Sequence, residues 1–132
     1  STVATLSEIG IAGEWVLSGK EAVQRCYEHH EKKEDYFAII LDWKMPEMDG
    51  IETARQIRKR IGSDITIILL SSFEFSEIEE EAKAAGVDAF IAKPLFRSRL
   101  TATLRRFVSE KKEKPPNGGF SCIFRGIAEN LG

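Results

Sequence analysis

The chain has 132 residues, with 19 Lys and Arg against 21 Asp and Glu, for a formal net charge of −2. That length suits one domain with one good core, and the near-neutral balance gives no basic footprint for nucleic acid. No run approaches the roughly 18 apolar residues of a membrane span, no signal-peptide pattern opens the chain, and Cys26 and Cys122 make no disulfide framework. The expectation is a cytoplasmic chain that makes no membrane contact of its own.

Residues 2–9 carry Val3, Leu6 and Ile9 at helical spacing, with Gly10 as terminator. Residues 11–17, containing Trp15-Val16-Leu17, read as a strand. Ser18 with Glu21 three positions later is a capping box. The helix it opens turns Ala22, Val23, Cys26 and Tyr27 inward and ends in the charged, solvated run 31–35, with His29 and His30 on that same end. Residues 37–41 (Phe-Ala-Ile-Ile-Leu) form a continuous apolar run, as expected of a parallel strand buried on both faces, and the run stops at Asp42. A turn-prone segment with Pro46 and Asp49-Gly50 follows. Asp49 with Glu52 is a second capping box, opening a helix with Ile51, Ala54, Ile57 and Ile61 on one face. Residues 65–70 are a second buried strand, giving way to Ser71-Ser72. Ser76 with Glu79 is a third capping box, with Ile78, Ala82 and Ala85 inward and Gly86 as terminator. Residues 87–92 are a shorter strand, giving way to Lys93-Pro94. Residues 95–108 are the last helix, with Phe96, Leu100, Leu104 and Phe107 at helical spacing.

Strands alternating with helices predict an α/β fold, a parallel sheet covered on both faces. Open parallel sheets bind ligands just outside the carboxyl ends of their strands. Three such ends here present a carboxylate (Asp42), a hydroxyl (Ser71) and an ammonium (Lys93). A carboxylate beside a lysine and a serine is chemistry suited to accepting a phosphoryl group: the carboxylate attacks, and the cation and hydroxyl hold the transferred oxygens.

These residues resemble the receiver domain of two-component response regulators. The resemblance rests on Leu41-Asp42-Trp43-Lys44-Met45-Pro46-Glu47-Met48-Asp49-Gly50, on Ser71 placed 29 residues after Asp42, and on Phe90-Ile91-Ala92-Lys93-Pro94, with Lys93 placed 22 after Ser71. It covers residues 1–108. It implies a flavodoxin-like doubly wound sheet of strand order 2-1-3-4-5, with Asp42 as phosphoacceptor. Ser71 and Lys93 would bind the phosphoryl group, Phe90 would be the switch aromatic, and Pro46, Gly50 and Pro94 would position the loops. It further implies Mg²⁺ held by Asp42 and the Lys44 backbone carbonyl. The donor would be a histidine kinase or phosphotransfer domain, the acyl phosphate would be lost by slow self-dephosphorylation, and the face around residues 75–86 and Phe90 would change its partner binding. The parent chain resembles a hybrid sensor histidine kinase, whose membrane anchor would lie elsewhere. His29 and His30 lack any kinase-type histidine motif and read as solvated residues rather than phosphodonors.

The resemblance also exposes a gap. Four strands are legible before residue 109, and the family's first strand, central in its order, has no counterpart ahead of residue 11. The acidic pair at the end of that strand is missing with it, so Mg²⁺ binding is expected to be weakened or lost. Residues 109–119, rich in Lys, Pro, Asn and Gly, read as a linker, and 120–132 as a C-terminal tail whose Phe120-Ser121-Cys122-Ile123-Phe124 is strand-like. Two readings of the tail stand side by side. In one, residues 120–128 fill the vacant central position, in their own chain or in a strand-swapped homodimer, which brings Glu129 near Asp42 as a substitute metal ligand. In the other, the tail begins a further domain. The competing functional class is a degenerate receiver that only docks or dimerises. A flavodoxin-like small-molecule binder lacks its glycine-rich phosphate loop here, and a phosphatase with an Asp nucleophile would want an acid at position 44, which is Lys.

Overall fold

The structure is a computed structural model and describes residues 11–16, 18–43, 48–63, 65–71, 75–92, 96–110 and 120–125. Five strands are described: β1 (Ile11–Trp15), β2 (Ala38–Asp42), β3 (Thr66–Ser71), β4 (Ala89–Ala92) and β5 (Phe120–Arg125). Between them run helices α1 (Gly19–Glu31), α2 (Gly50–Ile61), α3 (Glu79–Ala85) and α4 (Arg97–Glu110), with a 3-10 turn at Phe75–Glu77. All strand pairs are parallel, and the order across the sheet is β1-β5-β2-β3-β4. The last of the described strands therefore occupies the position between β1 and β2. It pairs with β1 from Ile11↔Phe120 to Trp15↔Phe124, and with β2 from Ala38↔Cys122 to Leu41↔Arg125. In space this is the 2-1-3-4-5 order of a doubly wound sheet, with its central strand supplied from the C-terminal side. The strand ends at Arg125; residues 126–128 of the expected stretch lie outside the described residues, as does the helix expected at 2–9.

The central strands show why their sequences are continuous apolar runs. Every residue of β2 and β3 is buried, because helices cover both faces. The strand alternation of period two divides them cleanly. Ile39, Leu41, Ile67 and Leu69 join the core with Ala22, Val23, Cys26, Ile51, Ala54, Ile57, Ile61, Ile78 and Ala82 of the α1–α3 side. Ala38, Ile40, Ile68 and Leu70 join Leu100, Leu104 and Phe107 of α4 on the other side. Each large aliphatic side chain so buried contributes about 1.5–3 kcal/mol relative to exposure.

Several predicted details shift. β1 ends at Trp15 rather than Leu17, which lies outside the described residues; β3 starts at Thr66 rather than Ile65 and extends through Ser71; and β4 starts at Ala89 rather than Val87. α4 runs to Glu110, two residues into the stretch read as linker. Phe96 does not face inward. Its backbone carbonyl accepts the Leu100 N–H at 3.0 Å, so it precedes the helix, and its side chain is 64% exposed. The third capping box does not form either. Ser76 lies inside the 3-10 turn, and α3 opens behind Ile78, which has no side-chain cap and is buried instead. His29 and His30 are half-buried rather than simply solvated. His29 Nδ1 lies 3.1 Å from the Glu34 carbonyl with its ring against Tyr36, and His30 Nδ1 lies 2.9 Å from Asp35 Oδ1.

Candidate functional site

The carboxyl edge of the sheet is built by register. Reading across it, the strands end at Trp15, Arg125, Asp42, Ser71 and Ala92. Asp42 pairs with Leu70, so Ser71 stands one residue further along the neighbouring strand, and Ser71 in turn pairs with Ala92. Asp42 and Ser71 are each 2% exposed. A buried carboxylate and a buried hydroxyl on adjacent strand ends are costly unless something specific uses them. Lys93 and Pro94 fall outside the described residues, but Lys93 directly follows Ala92, the residue level with Ser71.

The chain beyond Asp42 is held by its backbone. The Trp43 N–H donates to the Leu70 carbonyl at 2.9 Å, and the Gly50 N–H donates to the Trp43 carbonyl at 2.8 Å. Gly50 stands over the end of β2: a Cβ there would fall on the Asp42 carbonyl oxygen and within 2.6 Å of Leu69 Cδ1. Only glycine permits this approach. Asp49 then caps α2, accepting the Glu52 N–H at 2.8 Å. Glu52 itself is held below its ordinary carboxylate range, first by the Gln56 amide and then by the Arg55 guanidinium. Lys44 and Pro46 lie outside the described residues, as does Glu129.

Two residues missed in the sequence shape this edge. Thr53 is fully buried and donates its hydroxyl to the Asp49 carbonyl at 2.8 Å. Gly19 opens α1 so close to it that a Cβ would strike Thr53 Oγ1 and sit 3.3 Å from the Met48 carbonyl. The starts of α1 and α2 therefore interlock beside Asp42. Gly19 behind a capping serine carries no local signal of this contact. Phe90 is half-buried on β4, level with Leu69, and packs against the α1–α3 core, as does Trp43. Among the described residues, no three His, Cys, Asp or Glu side chains gather where they could hold a metal ion.

Residues 2–105 match the response regulator receiver domain. The chain belongs to this family. β5, at 120–125, lies beyond the matched span. The osmosensing histidine protein kinase SLN1 of Saccharomyces cerevisiae is 30% identical over 104 residues, and hybrid signal transduction histidine kinase L of Dictyostelium discoideum is 31% identical over 106. These alignments cover 79% and 77% of the chain but only 8% and 6% of the two kinases. Among solved structures, the receiver domain of sensor histidine kinase PA1611 from Pseudomonas aeruginosa PAO1, which has a magnesium ion coordinated in its active site cleft, matches with a TM-score of 0.68. It is 29% identical, over 80% of this chain and 84% of that one. The signal receiver domain of a histidine kinase from Syntrophus aciditrophicus matches with a TM-score of 0.69 at 28% identity, covering 87% of this chain and 84% of that one. This chain is a receiver domain of two-component signalling with the flavodoxin-like parallel fold of that family. Among its described residues no helix is long and apolar enough to cross a membrane.

Proposed function

We propose that this receiver domain accepts a phosphoryl group onto Asp42 from a phosphohistidine of a histidine kinase or phosphotransfer domain. The register of the carboxyl edge carries this reading: buried Asp42 stands beside buried Ser71, and Ser71 is level with the residue before Lys93. An Asp42 carboxylate oxygen attacks phosphorus in line. The new O–P bond forms as the P–N bond to the donor histidine breaks, and its electron pair leaves with the imidazole. The Ser71 hydroxyl donates to one transferred oxygen, and the Lys93 ammonium pairs with the added charge. Phe90 turns in behind Ser71, and the face at residues 75–86 changes its partner binding. Gly50, Pro46 and Pro94 fix the loops that carry these groups. Slow hydrolysis of the acyl phosphate resets the domain.

Magnesium is the family's expected partner for such a site, but among the described residues the donor set falls short of it. The described strand ends offer one carboxylate, Asp42, and the neighbouring strand brings an arginine instead of acids. Mg²⁺ takes near-octahedral oxygen ligands, so no step is routed through it. The parent chain is read as a cytoplasmic portion of a hybrid sensor histidine kinase. The poor fit to Mg²⁺ favours one second reading, a receiver kept for docking or dimerisation. Incubation with acetyl phosphate or a phosphorylated phosphotransfer domain, followed by intact-mass analysis, separates the two. One phosphoryl adduct is expected, absent in Asp42→Asn and slowed in Ser71→Ala and Lys93→Ala. An adduct that survives Asp42→Asn rejects Asp42, and no adduct with either donor supports the docking role.

A further inference from the structure

Backbone groups along a central strand turn alternately to its two neighbours. In β2 the odd residues serve β3. The Phe37 carbonyl accepts the Thr66 N–H at 3.2 Å, and just past the strand the Trp43 N–H donates to the Leu70 carbonyl at 2.9 Å. The even residues Ala38, Ile40 and Asp42 therefore turn their backbone groups to β5. The register fixes their partners, because Ile40 is level with Phe124 and Leu41 with Arg125. In a parallel ladder the bonds are slanted: an N–H reaches the residue before its level partner, and a carbonyl the residue after it. The Ile40 N–H thus goes to the Ile123 carbonyl, the Arg125 N–H to the Ile40 carbonyl, and the Asp42 N–H to the Arg125 carbonyl. That last rung stands where both strands end.

Resting on Asp42 as phosphoacceptor, we infer that Arg125 is a positioning residue for it: the Arg125 main-chain carbonyl, at the carboxyl end of β5, fixes the backbone from which the attacking carboxylate projects. Two peptide planes flank the Asp42 Cα. The one before it is held by β5 through the Asp42 N–H, and the one after it by β3 through the Trp43 N–H. With both planes held, the Asp42 φ and ψ are fixed, and so is the direction of its Cα–Cβ bond. An in-line attack depends on such placement, since a misplacement of about 1 Å costs about a hundredfold in rate. The matched receiver span is residues 2–105, and Arg125 lies beyond it. The acceptor is therefore complete only with the C-terminal strand docked. The rung uses main-chain atoms alone, so it asks nothing of the side chain at position 125.

Two chain ends test this. A chain ending at Gly126 keeps the Arg125 amide carbonyl. A chain ending at Phe124 loses it and keeps the Ile123 carbonyl for Ile40. Acceptance is followed by intact mass with acetyl phosphate, and the backbone by amide hydrogen exchange. The chain ending at Gly126 is expected to match the full chain. The chain ending at Phe124 is expected to gain the adduct about tenfold or more slowly, with the Asp42 amide losing protection while the Ile40 amide keeps it. Arg125→Ala in the full chain is expected to react as wild type. An unchanged rate in a folded chain ending at Phe124 overturns the inference. So does an Arg125→Ala rate as slow as that chain's, which moves the role to the side chain. If the chain ending at Phe124 loses its cooperative melt, the intact protein decides. A scalar coupling through the hydrogen bond, between the Asp42 nitrogen and the Arg125 carbonyl carbon, is expected there, and its absence overturns the inference. No adduct on the full chain with acetyl phosphate or a phosphorylated phosphotransfer domain removes the acceptor reading and this inference with it.

Discussion

Arg58 does more to hold the amino end of the sheet than any residue singled out in the sequence. Its guanidinium donates to the Gly86 carbonyl from Nε at 3.0 Å and Nη2 at 2.8 Å, and from Nη1 to the carbonyls of Gly62 at 3.0 Å and Ile65 at 2.6 Å. It also pairs with Asp88 at 2.7 Å. Asp88 in turn accepts the Ile67 N–H at 2.8 Å. One side chain thus ties the end of α2 to the starts of β3 and β4. Arg58→Ala should lower stability by about 2–4 kcal/mol, because it strands several part-buried acceptors together. Arg58→Lys should recover little, since a point charge cannot serve acceptors spread around a planar fork. Urea midpoints of the two variants test both statements. None of this was legible beforehand: the partners are mostly backbone carbonyls, and Gly86 and Asp88 lie 28 and 30 residues away. Cys26 makes a second prediction at this scale. Burial, aided by the Asp35 carboxylate, pushes its thiol from 9.0 up to about 12. The folded state then keeps a proton that the unfolded state loses. This group therefore costs nothing below about pH 9 and lowers stability by about 1.4 kcal/mol per pH unit above it, up to the folded value. The alkaline decline in urea midpoint should be shallower in Cys26→Ala, whatever that variant's stability at neutral pH.

Helix ends separate what local sequence decides from what packing decides. Ser18 accepts the Glu21 N–H at 3.0 Å and Asp49 the Glu52 N–H at 2.8 Å, as their spacing predicts. Ser76 has the same spacing and does not cap, because Ile78 is drawn into the core and the chain tightens into a 3-10 turn ahead of it. The sequence pattern encodes what a serine is able to do, not which turn the core selects. Ser18→Ala and Asp49→Ala should each cost about 1 kcal/mol, whereas Ser76→Ala should stay within about 0.5 kcal/mol; thermal unfolding of the three variants compares them directly. An equal loss in Ser76→Ala would restore the third box. The same logic explains Phe96. Its spacing from Leu100 fits a helix face, but it stands before the first helical turn, where periodicity no longer controls direction. Gly86 was legible for the opposite reason: its φ of +101° is a backbone requirement that glycine alone meets cheaply.

For the whole molecule, the decisive element is β5. The runs of β2 and β3 were readable because strands buried on both faces have no polar positions to interrupt them. The Asp42–Ser71 order followed from where those runs stop, and Lys93 from the end of the shorter run of β4. The identity of the central strand was not decided by local pattern, since Phe120–Arg125 is short and follows a polar stretch, and only closure of the sheet selects it. Without β5, β1 and β2 would face each other across a gap with unpaired backbone groups on both lips. Deleting residues 120–132 should therefore abolish cooperative thermal unfolding rather than merely lower its midpoint. A truncated chain that melts like the intact one would remove β5 from the sheet. The same strand allows an exchange between copies, because it is joined to α4 through residues 111–119 alone, and a slot filled by a neighbour's strand has the same pairing. Self-insertion gives a monomer whose melting midpoint is independent of concentration. Exchange gives a dimer whose midpoint rises with concentration, and in which a truncated chain is rescued by added peptide of the β5 sequence. Sedimentation at two concentrations, followed by that peptide titration, distinguishes the two.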